Sequence, residues 1–423
     1  MSAVLWDAAT TKRSSLAVST QSRLRGFMSA RAIQGTLKVL SRRLEAVAAC
    51  ADTEDTKKAR KSHARRLKCQ QSIGSTVINN WRNFIDDFGL HVESFARTMR
   101  PAFPAGRVAD VRFDLSEPHF GGRTVVRLEF ENSNVWYYKP RSGKKELLWG
   151  CLLRVLSATG FSPPLVAAPV LLKGSHCWMR EISHLPCQDW HEVERFYIRA
   201  GALLCLAHTL RAVDLHAGNF IAHGEHPVLI DAETLMHPNV RIPPNAPDKA
   251  ETLSRTGMLR VGRPESQRDC VSFLGRVTTG THTVFLGTRK VSAKDAIEPL
   301  TTGFRAMNEC LKKAWTRPEL RTCIRKLGSF PVRTIYRPTV FYAKLLNESL
   351  SSEYIASQEA RRYFLQARLN SDLVSPATVQ EEINQLVNCD IPLFYGPSAT
   401  IRCPLSRSDI TRSVRIVRES CGV

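Results

Sequence analysis

The chain has 423 residues, 43% of them hydrophobic, and 60 Lys and Arg against 39 Asp and Glu leave a formal net charge of +21. That length and apolar content supply core for two lobes and exclude an intrinsically disordered protein. No apolar run reaches the roughly 18 residues a membrane helix needs, and "MSAVLWDAATTKRSSLAVST" lacks a signal-peptide core, so a soluble, cytoplasmic protein without membrane association is expected.

Residues 1–100 have helical periodicity and a basic balance. "TKKARKSHARRLK" (56–68) concentrates charge with no aromatic to stack a base, which favours a solvated helix face over a nucleic-acid site. An acidic partner is still implied by the overall charge, whether nucleic acid, an anionic surface or an acidic peptide, and nucleic acid is disfavoured among them. Trp81, Phe84, Ile85, Phe88, Val92 and Phe95 then recur at helical spacing and predict a core stripe. Pro101, Pro104 and Gly106 end that helix.

From 107 to 141 the texture is strand-like: "VADVRFDL", the turn "SEPHFGGR", "TVVRLEF", the turn "ENSN" and "VWYYKPR". Alternation of Val126, Leu128 and Phe130 with Val125, Arg127 and Glu129 fits a half-buried strand, and a small antiparallel sheet ending in Lys139 follows. "ELLWGCLLRVLSATG" (146–160) and "VERFYIRAGALLCLAHTLRA" (193–212) read as buried helices, the second delivering the chain to Asp214. The twelve cysteines, from Cys50 and Cys69 to Cys389, Cys403 and Cys421, form no C-x-x-C pair. Reduced thiols are therefore expected, without structural zinc or a disulfide framework.

"VDLHAGNFIAHGEHPVLIDAETLMHP" (213–238) holds Asp214, His216 and Asn219 as D-x-H-x-x-N, then Asp231 and Glu233 as I-D-x-E, around two apolar runs that suit a hairpin. D-x-H-x-x-N arises roughly 0.02 times by chance in a chain of this composition and length. A strand-end lysine, an amide and carboxylates in this order match what phosphoryl transfer requires: cations on the phosphates, hard oxygens on Mg²⁺, and a base at the acceptor hydroxyl. The bland alternative is that His216 and Asn219 merely cap a turn.

The same stretch resembles the signature of the dehydratase domain of class II lanthipeptide synthetases, the LanM-type enzymes. "SEPHFGGRTV" (116–125), "WYYKPRS" (136–142), "VRTIYRPTVFYAKLL" (332–346) and "CDIPLF" (389–394) resemble further elements of that family in the same order, so the likeness runs from Glu117 to Phe394. It implies an α+β, bilobal, lipid-kinase-like fold with a small antiparallel sheet lobe and a larger, mainly helical lobe. The segments would be a basic helical region at 1–105, a small lobe at 106–192 and a large lobe at 193–423. The implied activity uses ATP and Mg²⁺ to phosphorylate Ser or Thr of a ribosomally made precursor peptide, then eliminates phosphate to leave dehydroalanine or dehydrobutyrine.

By matching positions, the resemblance gives Lys139 the phosphates and Asp214, His216 and Asn219 the catalytic loop. Asp231 becomes the leading metal ligand with Asn219 beside it, and Glu233 a second acidic group at the cofactor. For elimination it points to Glu117, Lys139, Arg333 and Thr339, with His119 and Arg337 nearby. Ordinary competitors are a surface ion pair for Arg333 and a helix cap for Thr339. Glu117 stands where the family often has aspartate, which makes elimination the less secure step, and Leu393 replaces a usual aromatic. The family's full-length members continue into a zinc-dependent cyclase absent from these 423 residues, so ring closure is expected from a separate enzyme. The expected partner is a precursor peptide with an acidic leader. Three readings stay open: a stand-alone dehydratase, a peptide kinase without elimination, and a non-catalytic basic peptide-binding subunit.

Overall fold

The computed structural model describes scattered positions between 28 and 43, and residues 60–99, 107–238, 240, 253–259, 272–274, 280–351, 353–355, 357–370 and 374–423. Side chains of 60–67 are not described, so the expectation placed on the basic segment 56–68 lies outside the described residues apart from Lys68. The chain is α+β and forms two compact units, one of 1–140 with 336–393, the other of 141–335 with 394–423.

The first unit begins with helix α1 (Arg60–Met99). Its stripe of Trp81, Phe84, Ile85, Phe88, Val92 and Phe95 is buried, because these positions share one face of a 3.6-residue repeat. The stripe meets an antiparallel sheet of β1 (Val108–Arg112), β2 (Val126–Phe130) and β3 (Val135–Lys139). Aromatic pairs make the join: Trp81 lies 5.3 Å from Phe113, Phe88 5.2 Å from Tyr138 and Phe95 5.1 Å from Trp136. On β2, Val126, Leu128 and Phe130 are buried while Arg127 and Glu129 alternate with them and pair at 3.0 Å. β3 ends with Tyr138 and Lys139, both buried.

The second unit opens with α2 (Lys144–Ala158), the hairpin β4 (Val170–Lys173) and β5 (His176–Arg180), and α3 (Trp190–Thr209). Asp189 caps α3 by accepting the Glu192 N–H. Hairpins β6 (Phe220–His223) with β7 (His226–Leu229) and β8 (Val284–Leu286) with β9 (Arg289–Val291) follow, then α4 (Ile297–Ala314), α5 (Pro318–Gly328) and β10 (Val332–Thr334). α3 and α4 cross at two glycines. A Cβ on Gly201 would lie 1.9 Å from the Leu300 carbonyl oxygen and one on Gly303 1.8 Å from that of Ile198, so only glycine permits this approach. Leu203, Leu204, Leu206, Phe304 and Met307 fill the surrounding core.

At 336 the chain returns to the first unit as α6 (Thr339–Ser349), α7 (Gln358–Leu369) and α8 (Pro376–Val387). Buried Arg361 donates to the carbonyls of Leu386 and Val387, which satisfies the C-terminal end of α8. β11 (Phe394–Gly396) pairs antiparallel with β10, and α9 (Arg407–Cys421) closes the second unit. Among the described residues, no helix is long and apolar enough to cross a membrane.

Candidate active site

α3 ends at Thr209 with Leu210 as its C-cap, and the next residues turn sharply, with Arg211 at φ 53° and Asp214 at φ 59°. Left-handed backbone is uncommon for such residues and is held here by specific bonds. The Asn219 amide donates to the Asp214 carbonyl at 2.7 Å, and Thr234 Oγ1 donates to the Val213 carbonyl at 2.5 Å. His216 Nδ1 accepts the Gly218 N–H at 3.0 Å, which places the ring proton of a neutral imidazole on Nε2. Gly257, at φ 81°, backs the loop so closely that a Cβ there would lie 2.9 Å from the Leu215 nitrogen. The Ile230 N–H donates to the Asn219 carbonyl at 2.9 Å, prolonging the β6–β7 pairing and setting Asp231 beside the loop. The two apolar runs are thus the strands of a hairpin that carries the polar groups at its ends.

Behind that hairpin lies an ionic cluster. Asp231 Oδ1 accepts the Glu233 N–H at 3.2 Å and Arg141 Nη2 at 2.8 Å. Glu233 meets Arg333 Nη1 at 2.6 Å through Oε1 and Arg141 Nε at 3.0 Å through Oε2, and the Tyr395 hydroxyl stands 3.5 Å from Oε2. Arg141 Nη2 also reaches Glu146 Oε1 at 2.6 Å. Arg333 is tied twice, because its backbone N–H donates to the Glu233 carbonyl at 3.0 Å. Burial pushes the Asp214 carboxyl above its ordinary value; His216 and Arg333 oppose that shift, and Asp231 and Glu233 reinforce it. Burial pulls Arg333 down, but the charge of Glu233, then of Asp214 and Asp231, holds it above the ordinary guanidinium value. Lys145 is bound at the carbonyls of Leu235 and Leu327 and at Ser398, and its burial lowers it to about 8.

Asp231 and Asn219 offer hard oxygens, the donor type Mg²⁺ takes, and the carboxylates of Asp214, Asp231, Glu233 and Glu146 exceed the guanidinium groups of Arg141 and Arg333. Among the described residues no three His, Cys, Asp or Glu side chains form a metal cage. Mg²⁺ needs only one or two carboxylates when phosphate oxygens complete its shell. The residues present therefore fit a phosphate-borne Mg²⁺.

The remaining sequence-derived candidates belong to the first unit. Lys139 is buried at the end of β3. Glu117 is exposed on the turn between β1 and β2, and His119 Nδ1 lies 2.7 Å from the Ile391 carbonyl oxygen. Asp390 grips this turn, accepting the N–H groups of Gly121 and Gly122 at 2.7 Å each. Thr339 is the first residue of α6; Pro338 occupies the cap position that Thr339 competed for. Arg337 pairs at 2.9 Å with Glu382, a fully buried carboxylate that also accepts the Tyr342 hydroxyl. Arg333, weighed as a surface ion pair, is instead largely shielded from solvent on a strand, with its partner Glu233 more deeply buried.

Residues 68–278 and 272–396 match the family described as a domain of unknown function, DUF4135. The chain belongs to this family. The DUF4135 match spans the hairpin, the ionic cluster and the turn held by Asp390. The chain is also 22% identical over 321 residues to the lacticin 481/lactococcin biosynthesis protein LcnDR2 of Lactococcus lactis subsp. lactis, an alignment covering 64% of this chain and 34% of that protein. It thus spans about a third of that relative's length. Arg141, Glu146 and Tyr395 received no role from the sequence. Arg141 stands two residues after Lys139 in "WYYKPRS", and a cation that close to a candidate phosphate ligand is the signal the sequence carries for it.

Proposed function

We propose that this chain is an ATP-dependent dehydratase that phosphorylates Ser or Thr of a ribosomally made precursor peptide and then eliminates the phosphate, in lanthipeptide-type biosynthesis. The observation that carries the reading is the oxygen-rich cluster at the end of the β6–β7 hairpin, where Asp214, Asn219, Asp231 and Glu233 meet Arg141 and Arg333. The relative involved in lacticin 481/lactococcin biosynthesis supports it. A bilobal, lipid-kinase-like architecture belongs to the same proposal, and the net charge of +21 supports an acidic leader on the peptide.

In this reading Asp231 and Asn219 would hold Mg²⁺, with Glu233 and Lys139 the other groups that would serve the nucleotide. Bound there, Mg-ATP supplies the phosphoryl group and the positive charge that steadies its transfer. Asp214 would take the proton of the substrate hydroxyl as that oxygen bonds to the γ-phosphorus and the bond from that phosphorus to the departing ADP breaks, and its upward-shifted carboxyl is a better base than a surface aspartate. His216, fixed by the Gly218 N–H, orients the loop. In the second step a base removes the α-proton, the Cα–Cβ double bond forms, and the Cβ–O bond breaks as phosphate departs. Arg333 and Thr339 serve the leaving phosphate, and Glu117 and His119 the proton transfer.

The test separates the two steps. Arg333→Ala or Thr339→Ala should accumulate phosphopeptide with little dehydrated product, and a peptide supplied already phosphorylated should bypass Asn219→Ala more readily than Arg333→Ala. Parental elimination of that phosphopeptide by Arg333→Ala would sink the assignment. A parent chain that stops at phosphopeptide would favour a kinase without elimination, for which the exposed Glu117 is the motive and Glu117→Asp the substitution to try.

A further inference from the structure

We propose that Arg141 is the resident counter-cation of the Asp231–Glu233 pair, and that a divalent metal takes Asp231 only once nucleotide phosphate has drawn Arg141 away from it. This rests on the reading of Asp231 as metal ligand and adds how that site is kept and when it opens. One guanidinium spans three carboxylates, reaching Glu146 at 2.6 Å, Asp231 at 2.8 Å and Glu233 at 3.0 Å, with only 16% of its side chain exposed. Asp231 Oδ1 also accepts the Glu233 N–H at 3.2 Å, so both lone pairs of that oxygen are engaged.

A metal arriving alone therefore finds Asp231 Oδ1 already held in a charge-assisted bond, and at either oxygen of that carboxylate it must sit beside a retained positive charge in a shielded site. Phosphate changes the balance. It matches the guanidinium fork as well as a carboxylate does, and Glu146, in the first turn of α2, keeps an anchor on Arg141 while Asp231 is released. Metal and nucleotide then bind with positive coupling, which linkage makes reciprocal. Lysine cannot substitute, since a single ammonium lacks the fork that serves Nε and Nη2 contacts together.

The measurement is Mn²⁺ binding to the full chain by electron paramagnetic resonance, with and without a non-hydrolysable ATP analogue. The parent should bind Mn²⁺ at least tenfold more tightly with the analogue than without it. Arg141→Gln should bind Mn²⁺ alone at least tenfold more tightly than the parent and lose most of the gain from the analogue, with Arg141→Lys between the two. Glu146→Gln, which leaves Arg141 wholly on Asp231 and Glu233, should shift the other way and weaken binding in the presence of the analogue; it keeps the test open if Arg141→Gln does not fold. Equal parental affinity with and without the analogue overturns the proposal, as does an Arg141→Gln chain that folds and binds Mn²⁺ no more tightly, or unaltered binding by Glu146→Gln. Absence of Mn²⁺ binding in parent and variants even with the analogue would instead remove the ATP-dependent reading on which the proposal rests.

Discussion

Replacing Asp390 should loosen the turn that carries Glu117 and His119. Its carboxylate is buried and accepts the N–H groups of Gly121 and Gly122 at 2.7 Å each, while the Ile391 N–H donates to the Pro118 carbonyl at 2.8 Å. Phe120, Gly121 and Gly122 all have positive φ (45°, 84° and 72°), which points successive N–H groups at one anion. Hydrogen bonds to a charged group contribute roughly 1.5–3 kcal/mol each, and Asp390→Ala removes two of them while also removing the cost of burying the charge. The net loss should be about 3 kcal/mol; Asp390→Asn, which keeps one acceptor and no charge, should lose about 1 kcal/mol. Burial raises the Asp390 carboxyl despite the two N–H donors. A folded value above the unfolded one means that this group's stabilisation is full below about pH 3.9 and is lost as pH rises through the folded value, so the gap between parent and Asp390→Asn should narrow over that window. Urea unfolding gives the stabilities, and hydrogen exchange of 118–124 reports the turn. An Asp390→Ala chain within about 0.5 kcal/mol of the parent, with Gly121 and Gly122 amides equally protected, would refute the reasoning. Because the turn carries the elimination candidates, Asp390→Ala should also impair phosphate elimination more than phosphorylation.

Gly201→Ala and Gly303→Ala each thrust a methyl into the opposing helix backbone and should cost about 3 kcal/mol or more, a melting temperature within 2 °C of the parent arguing otherwise. Lys145 titrates at about 8 in the folded chain against 10.5 ordinarily. The unfolded chain then holds the extra proton between those values, so the parent should gain about 2 kcal/mol on Lys145→Met from pH 7.5 to pH 10, and a constant difference in urea unfolding would contradict it. Asp231→Asn should abolish phosphorylation and dehydration alike while the chain stays folded, and full dehydration by that variant would remove the metal assignment.

Periodic and local features were legible in the sequence. The α1 stripe, the alternation on β2 and the hairpin between Asn219 and Asp231 each follow from spacing within a few residues. What the sequence left hidden is set by partners far along the chain. Arg141 meets Asp231 90 positions away, and Asp390 meets Gly122 across 268. Nothing in the local pattern of "CDIPLF" announces that its aspartate closes a glycine turn. Arg361 and Glu382 sit on α7 and α8, where charged residues read as surface, yet both are buried because each satisfies several polar groups at once. Arg333 is fixed by a strand pairing with 394–396 and by two bonds to Glu233, 100 positions away, neither of which local spacing reveals. The compact units interleave at 140, 335 and 393, so reading the chain as consecutive segments could not separate them.

The intact mass of a candidate precursor peptide co-expressed with this chain decides whether the chain dehydrates Ser and Thr. Dehydration removes about 18 Da from each modified Ser or Thr and phosphorylation adds about 80 Da. The parent chain should yield peptide lighter by multiples of about 18 Da, and Arg333→Ala peptide heavier by about 80 Da. Peptide that binds the chain in the presence of Mg-ATP and leaves with its mass unchanged would contradict the account.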